Sequence, residues 1–310
     1  MVEESLKYGW IGAGRMGSEM IRRLAESGND VSVFNRTRAK VEPLLKYGAK
    51  AVGSAAELAR CDVIFVSVGS SEDFISVTCG EGGVLSQSLV PKVIVDCSTI
   101  SIEASMEVRA VAESKSVALL AAPVSGNPKV AEAGRLTMAV SGPEDAFRLV
   151  RPALDLIVAG VTYVGEGDNA RLVKLCHNLF LGVVTQSLVE ITIMAEKGGV
   201  SRNLFLEYLN KSVMGSTFSR YKAPALVNLD YHATFTSKLL RKDFDIGLQT
   251  ARELEVPMPT ASAVYQIIQS LVAEGYGDED FAALIELQAR ASGLKLESEG
   301  VEVDDGLGTR

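Results

Sequence analysis

Lys7-Tyr8-Gly9-Trp10-Ile11-Gly12-Ala13-Gly14-Arg15-Met16-Gly17 is the stretch whose reading decides the fold. A β-rich run over residues 6–11 breaks into glycines spaced Gly-x-Gly-x-x-Gly. A helical pattern over 15–27 follows at once, with Met16, Met20, Ile21 and Leu24 on one apolar face. Val31-Ser32-Val33-Phe34 then reads as a second strand. A glycine loop alone says little, because glycines occur at turns everywhere. Between a strand and a helix of one strand–helix–strand unit, it is a dinucleotide-binding fingerprint. The first glycine makes the turn, the second lets the backbone approach a pyrophosphate, and the third lets the helix pack on the sheet. The helix N-terminus offers N–H groups and a favourable dipole to that anion. Gly12, Ala13, Gly14, Arg15 and Met16 are thus candidate cofactor contacts.

Working outward, further strands are expected at residues 63–68, 93–96, 117–121, 136–141 and 161–164. Several are continuously apolar, as suits parallel strands covered on both faces. Amphipathic helices such as 102–112 lie between them, so the pattern predicts an α/β doubly wound parallel sheet. It changes near Gly165, after which no β-rich run occurs. One long helix is expected over 170–197, about 40 Å at 1.5 Å per residue. Asp168 or Asn169 would cap its start and Gly198-Gly199 its end. Helices over 202–210, 217–226, 237–254, 258–274 and 280–291 complete an all-α region. The expected organisation is a dinucleotide-binding domain over 1–165, a linking helix over 166–198 and a helical domain over 199–296. The acidic, glycine-rich tail over 297–310 is expected to fray.

At 310 residues the chain has room for about two domains of roughly 150 residues each. Its 47% hydrophobic and 23% charged residues are ordinary globular values. A net charge of −8 argues against nucleic-acid binding, since like charge repels a phosphate backbone. Two histidines, His177 and His232, argue against a His-rich metal site. Cys61, Cys79, Cys97 and Cys176 match no zinc or redox spacing, and Cys61 and Cys97 read as buried reduced thiols. The start is acidic, with no secretion signal. The longest apolar stretch, 179–194, is interrupted by Gln186, Ser187 and Glu190, and is expected to be too short and too polar to span a bilayer. A soluble cytoplasmic protein is expected.

The end of the second strand bears on the cofactor. An NAD site places Asp or Glu there for the ribose 2′-OH. This chain has Phe34-Asn35-Arg36-Thr37-Arg38. Arg36 offers a fork for a 2′-phosphate, and Asn35 and Thr37 offer neutral hydrogen bonds. This favours NADP, the alternative being a solvated helix start with two exposed arginines. Val68-Gly69 ends another strand and is placed to approach the cofactor. Ser98-Thr99 follows 93–96, at the end of the sheet where ligands bind. Thr99 is read as either a cofactor contact or a helix cap.

The glycine loop, Ala122-Pro123-Val124-Ser125-Gly126, and Lys174 with Asn178 together resemble the β-hydroxyacid dehydrogenase family, from about residue 6 to 291. The resemblance implies a Rossmann-type N-terminal domain, a long linking helix and an all-α C-terminal domain. It implies an NADP(H)-dependent oxidoreductase interconverting a small 3-hydroxy acid and its semialdehyde or keto form. Lys174 would be the proton donor and acceptor, and Asn178 would position substrate or lysine. Ser125, Gly126 and Asn127 would hold a substrate carboxylate, with Thr99 near the nicotinamide. Lys242 would reach the nicotinamide end and Asp243 would hold its helix in place. A homodimer or homotetramer is also implied.

The residues themselves agree with this chemistry. Lys174 and Asn178 are four apart and share a helix face. A lysine beside a carbonyl oxygen stabilises the developing alkoxide and supplies its proton. Four positions depart from the family pattern. Gly69, after Val68, stands where Pro is frequent. His177 stands where Asn is frequent, and either faces the substrate or packs as a structural histidine. Ala122 replaces a common acid. Asn127 replaces a frequent Gly, narrowing the pocket or adding an amide. Phe218, Tyr221 and Phe235 are read as pocket walls or as core. The competing functional readings are an imine or other carbonyl reductase, and a non-catalytic NADP-binding interaction protein.

Overall fold

The glycine-loop stretch folds as its pattern predicts in the computed structural model, which describes residues 6–308. β1 (Lys7–Ile11) leads into α1 (Arg15–Glu26), and β2 (Asp30–Phe34) returns beside β1. Then come β3 (Lys50–Ala51), β4 (Val63–Val66), α2 (Ser71–Thr78), β5 (Val93–Asp96), α3 (Ile102–Ser114) and β6 (Ala118–Ala121). These six strands form one sheet in the order β3-β2-β1-β4-β5-β6, parallel throughout. β4 and β5 are buried at every residue, which explains their unbroken apolar sequences.

The register aligns the carboxyl ends. Ile11 pairs with Phe34 and Val66, Val66 with Asp96, and Asp96 with Ala121. The chain leaves β1 toward β2 and later returns on its other side as β4. The crevice between the ends of β1 and β4 is therefore the topological switch point, where ligands bind in such sheets. Trp10 lies beneath it, stacked on Phe65 at 4.8 Å, and its indole N–H donates to the Gly12 carbonyl at 3.2 Å.

Two expected strands lie elsewhere. β7 (Val124–Ser125), β8 (Thr137–Val140) and β9 (Gly160–Tyr163) make a separate three-stranded sheet. β7 runs antiparallel to β8, and β8 parallel to β9. The short helix α4 (Pro128–Glu132) and α5 (Glu144–Ile157) belong to this part of the chain. A single antiparallel bridge, Ala121 to Ser141, joins the two sheets. Strand-like runs report burial, not the sheet that will receive them, so periodicity alone placed β8 and β9 in the wrong sheet.

Contacts divide the chain into two units, Met1–Lys174 and Leu175–Arg310. The boundary falls inside α6 (Asn169–Lys197). α6 contains a window of mean hydropathy 1.5, long and apolar enough by composition to cross a membrane, contrary to the expectation from its polar interruptions. Half of that window is buried within the protein, and Leu188, Val189 and Ile193 join the helical core.

The second unit continues with α7 (Arg202–Lys211), α8 (Thr217–Asn228), α9 (Ser237–Glu253), α10 (Pro259–Ala273) and α11 (Leu284–Ala291). Phe218, Tyr221 and Phe235 belong to its packing. Phe218 stacks on Phe281 and meets Tyr221 edge-on, and Phe235 meets Phe281 edge-on. The Lys222 ammonium sits 4.2 Å over the Phe281 ring and 2.7 Å from Asp280.

The tail up to residue 308 has no regular structure, yet it is tied down. Arg202, fully buried, donates to the carbonyls of Glu297 (2.6 Å) and Val227 (2.8 Å) and pairs with Glu196 at 2.6 Å. Glu299 accepts from the Arg202 backbone N–H at 2.7 Å, and Asn228 donates to Val301 at 2.8 Å. Leu294, Leu296 and Val303 add apolar contact with the core. Composition predicts fraying, but a buried arginine needs acceptors, and the tail supplies them. Arg202→Ala would leave these acceptors and Glu196 unpaired. It is expected to cost about 3 kcal/mol, read as a lowered urea midpoint for the helical unit.

Candidate active site

Gly12 sits at φ +100°, and a Cβ there would lie 2.1 Å from the Ser67 carbonyl oxygen. A side chain on Gly17 would meet the Gly12 carbonyl at 2.3 Å, so these two glycines hold the loop against β4 and α1. Gly14 is different: a Cβ there would meet nothing within 4 Å. It opens α1 with extended backbone and no side-chain cap, whereas Ser70 and Ser101 cap the nearby helices α2 and α3. An uncapped helix end fronted by open space, with no acid in its first turn, fits a dinucleotide pyrophosphate.

The residues read as ribose contacts divide by task. Asn35 Oδ1 accepts from the Ala13 N–H at 2.9 Å, and its Nδ2 donates to the Thr37 carbonyl at 2.9 Å. Its amide thus braces the glycine loop against the β2 turn. Thr37 precedes a short 3-10 turn. Arg36 is exposed over 88% of its side chain, and its guanidinium lies 3.3 Å from Asp73 Oδ1 in the first turn of α2. The local sequence shows no carboxylate here. The fold supplies one from 37 residues downstream.

The Val68 N–H donates to Ser98 Oγ at 3.0 Å, which joins the ends of β4 and β5. Gly69 is exposed with open space around it. Thr99 is exposed, and the cap of α3 is Ser101, which resolves the alternative for Thr99 against a capping role. In the loop after β6, Gly126 at φ +131° has no room for a side chain beside Leu136 and Val130. Asn127 is buried and caps α4 by accepting from the Val130 N–H at 3.0 Å. Its oxygen serves that helix. Ser125 is half-buried on β7.

The first turns of α6 are clamped to the first unit by ions. Arg171 donates to buried Asp96 Oδ2 at 2.6 Å, to Asp168 at 3.1 Å and to Ser105 at 3.0 Å. Arg109 reaches Asp168 at 3.0 Å and the Leu119 carbonyl at 2.8 Å. Asp168 immediately precedes the helix: its carbonyl accepts from the Arg171 N–H at 2.9 Å, while its carboxylate goes to the two arginines. The Ala170 N–H donates to Ser141 Oγ at 3.0 Å, and Asn169 donates to the Val164 carbonyl. Lys174, half-buried, follows Arg171 by three residues on this helix. Burial pushes the Asp96 carboxyl upward, opposed by Arg171. Burial also opposes ionisation of Asp168, but the Ser105 hydroxyl and the Arg109 and Arg171 guanidiniums outweigh it and hold that carboxyl below 3.8.

In the second unit, glycines let α6 and α9 approach closely. A Cβ on Gly182 would lie 2.4 Å from the Phe244 ring, and one on Gly247 would lie 2.8 Å from Leu179. That approach brings Asn178 Nδ2 within 2.5 Å of Asp243 Oδ2, both groups buried. With its amide nitrogen so engaged, Asn178 presents Oδ1 to His177 Nδ1 at 3.0 Å, which requires the proton on that ring nitrogen. His177 is exposed and hydrogen-bonded, so it is not a packed core histidine. Lys242 is exposed on α9.

Residues 7–165 match the NAD binding domain of 6-phosphogluconate dehydrogenase. Residues 168–288 match the NAD-binding domain of NADP-dependent 3-hydroxyisobutyrate dehydrogenase. The chain belongs to the β-hydroxyacid dehydrogenase family. It is 31% identical to glyoxylate/succinic semialdehyde reductase 2 of Arabidopsis thaliana, over 91% of this chain and 79% of the relative. It is 32% identical to 2-(hydroxymethyl)glutarate dehydrogenase of Eubacterium barkeri, over 95% and 99%. The crystal structure of a 3-hydroxyisobutyrate dehydrogenase from Salmonella typhimurium superposes with TM-score 0.80 at 26% identity, covering 91% of this chain and all of that one. This β-hydroxyacid dehydrogenase family member is an NAD(P)-dependent oxidoreductase acting on CH–OH groups.

The sequence reading missed the Asp96–Arg171–Asp168–Arg109 clamp and Asp73. The one available signal for the clamp was a charged residue, Asp96, ending an otherwise apolar buried strand. A carboxyl held below its unfolded value stabilises the folded state above that value, and the contribution is lost as pH falls through the folded value. Asp168→Asn is therefore expected to lower the thermal midpoint at pH 7. It should also flatten the loss of stability that the parent shows below about pH 4, as followed by thermal melts from pH 7 to 3.

Proposed function

We propose that this protein is an NADP(H)-dependent dehydrogenase/reductase that interconverts a small 3-hydroxy acid and its semialdehyde or keto form. The observation that carries the reading is Asn178, fixed by buried Asp243 at 2.5 Å one helical turn beyond Lys174. The bound nicotinamide would supply or accept the hydride. Gly12, Ala13, Gly14, Arg15 and Met16 would hold the pyrophosphate, and Val68, Gly69 and Thr99 would line the path to the nicotinamide. Arg36 would meet the 2′-phosphate, with Asn35 and Thr37 shaping that turn and Lys242 serving the nicotinamide end. Ser125 and the backbone N–H groups after it would hold the substrate carboxylate.

Lys174 in its ammonium form donates a hydrogen bond to the carbonyl oxygen and then transfers its proton to the forming alkoxide. In the oxidising direction its neutral amine takes the hydroxyl proton. Asn178, unable to rotate away from Asp243, keeps a fixed amide beside that lysine on the helix. His177 adds a second polar group on the same stretch, one that reads a hydroxyl or acid of the substrate. Phe180 and Met194, 68% and 74% exposed on α6, support a homo-oligomer.

Two measurements test this reading. Lys174→Ala is expected to lower kcat by about 10²- to 10⁴-fold while dinucleotide affinity, followed by fluorescence titration, stays near that of the parent. Near-normal turnover on every accepted substrate would remove the role of the lysine. Arg36→Ala is expected to raise the KM for NADPH far more than that for NADH, and equal effects on the two would remove the NADP assignment.

A further inference from the structure

The pair formed by Arg36 and Asp73 stands on two unequal supports. Arg36 extends from the exposed turn after β2, with 88% of its side chain open to solvent. Asp73 belongs to the first turn of α2, and its backbone N–H is held by the Ser70 cap at 3.0 Å. The next residue, Phe74, is fully buried, and Ser71 Oγ accepts from the Ser101 N–H at 3.1 Å. The carboxylate is thus fixed by the scaffold, and the guanidinium is the mobile member that comes to it. An exposed arginine on a stem of three methylenes has many rotamers, and its 3.3 Å approach to Oδ1 selects the one turned toward α2.

We propose that Asp73 sets cofactor selectivity by competing with the dinucleotide 2′-phosphate for Arg36. The inference rests on the NADP reading given above. A 2′-phosphate carries about −1.5 to −2 charges at neutral pH and binds arginine through paired N–H donors. To provide them, Arg36 must leave Asp73, and the carboxylate left behind repels the phosphate it now faces. A 2′-hydroxyl makes neither demand. Asp73 therefore lowers NADP affinity selectively and narrows the margin over NAD. It restores to the ribose region the negative charge that the β2 turn lacks, but from another helix, where Arg36 masks it.

Isothermal titration of the purified full chain with NADP⁺, NAD⁺ and adenosine 2′-monophosphate tests the assignment without reference to turnover. Asp73→Asn keeps the shape and removes the charge. It is expected to tighten NADP⁺ and adenosine 2′-monophosphate by about two- to fivefold, the range of an exposed ion pair, and to leave NAD⁺ unchanged. Asp73→Ser, read alongside, should shift in the same direction. Unchanged affinities in both variants, or equal changes for NADP⁺ and NAD⁺, would overturn the assignment of Asp73. Arg36→Ala separates the two levels of the argument. If it weakens NADP⁺ alone while the Asp73 variants change nothing, the NADP reading stands and the role of Asp73 falls. If it changes neither dinucleotide, both fall.

Discussion

The contact on which the rest of the site depends is the buried ion pair of Arg171 with Asp96, at 2.6 Å. Removing two charges from water is costly, and such a pair is retained only where further hydrogen bonds satisfy both partners. Here the Ser98 N–H donates to Asp96 Oδ1 at 2.9 Å, and Asp168 and Ser105 take the remaining reach of the guanidinium. The pair joins the carboxyl end of β5 to the first turn of α6. A helix pinned there by apolar packing alone could slide by a fraction of a turn. A directional charge network fixes the register of that first turn against the end of β5.

Much of the fold was legible because the periodicities are strong. β5 covers the expected residues 93–96, and α1 begins at the residue after the second glycine of its turn. What escaped prediction was long-range. β8 carries the alternation of any half-buried strand, and nothing local says that β7 and β9, not β6, will flank it. Asp73 lies in a short helix that sequence reading passed over, and its meeting with Arg36 exists only once β4 has been laid beside β1. Asn127 followed by Pro128 is a helix-start signal that the sequence carried, and the Asn127 side chain does cap α4.

In the second unit, precision comes from absent atoms. Gly182 and Gly247 each follow a site residue by four, Asn178 and Asp243, and each accepts a side chain of the opposite helix where its own would have stood. The reciprocal arrangement sets both the distance and the rotation of α6 against α9. Asn178 is then caught between a carboxylate on one side and an imidazole on the other. Each neighbour removes one choice: Asp243 fixes which end of the amide is the donor, and that in turn fixes which ring nitrogen of His177 holds its proton.

Trp10 carries a consequence of a different kind. It is the one tryptophan of the chain, and it is stacked on Phe65 with its N–H on the Gly12 carbonyl. The intrinsic emission of the whole protein is therefore that of a single indole wired to the backbone of the glycine loop. Its wavelength and lifetime report the state of that loop and the crevice floor. The molecule contains its own spectroscopic gauge of the nucleotide end, one that needs no label.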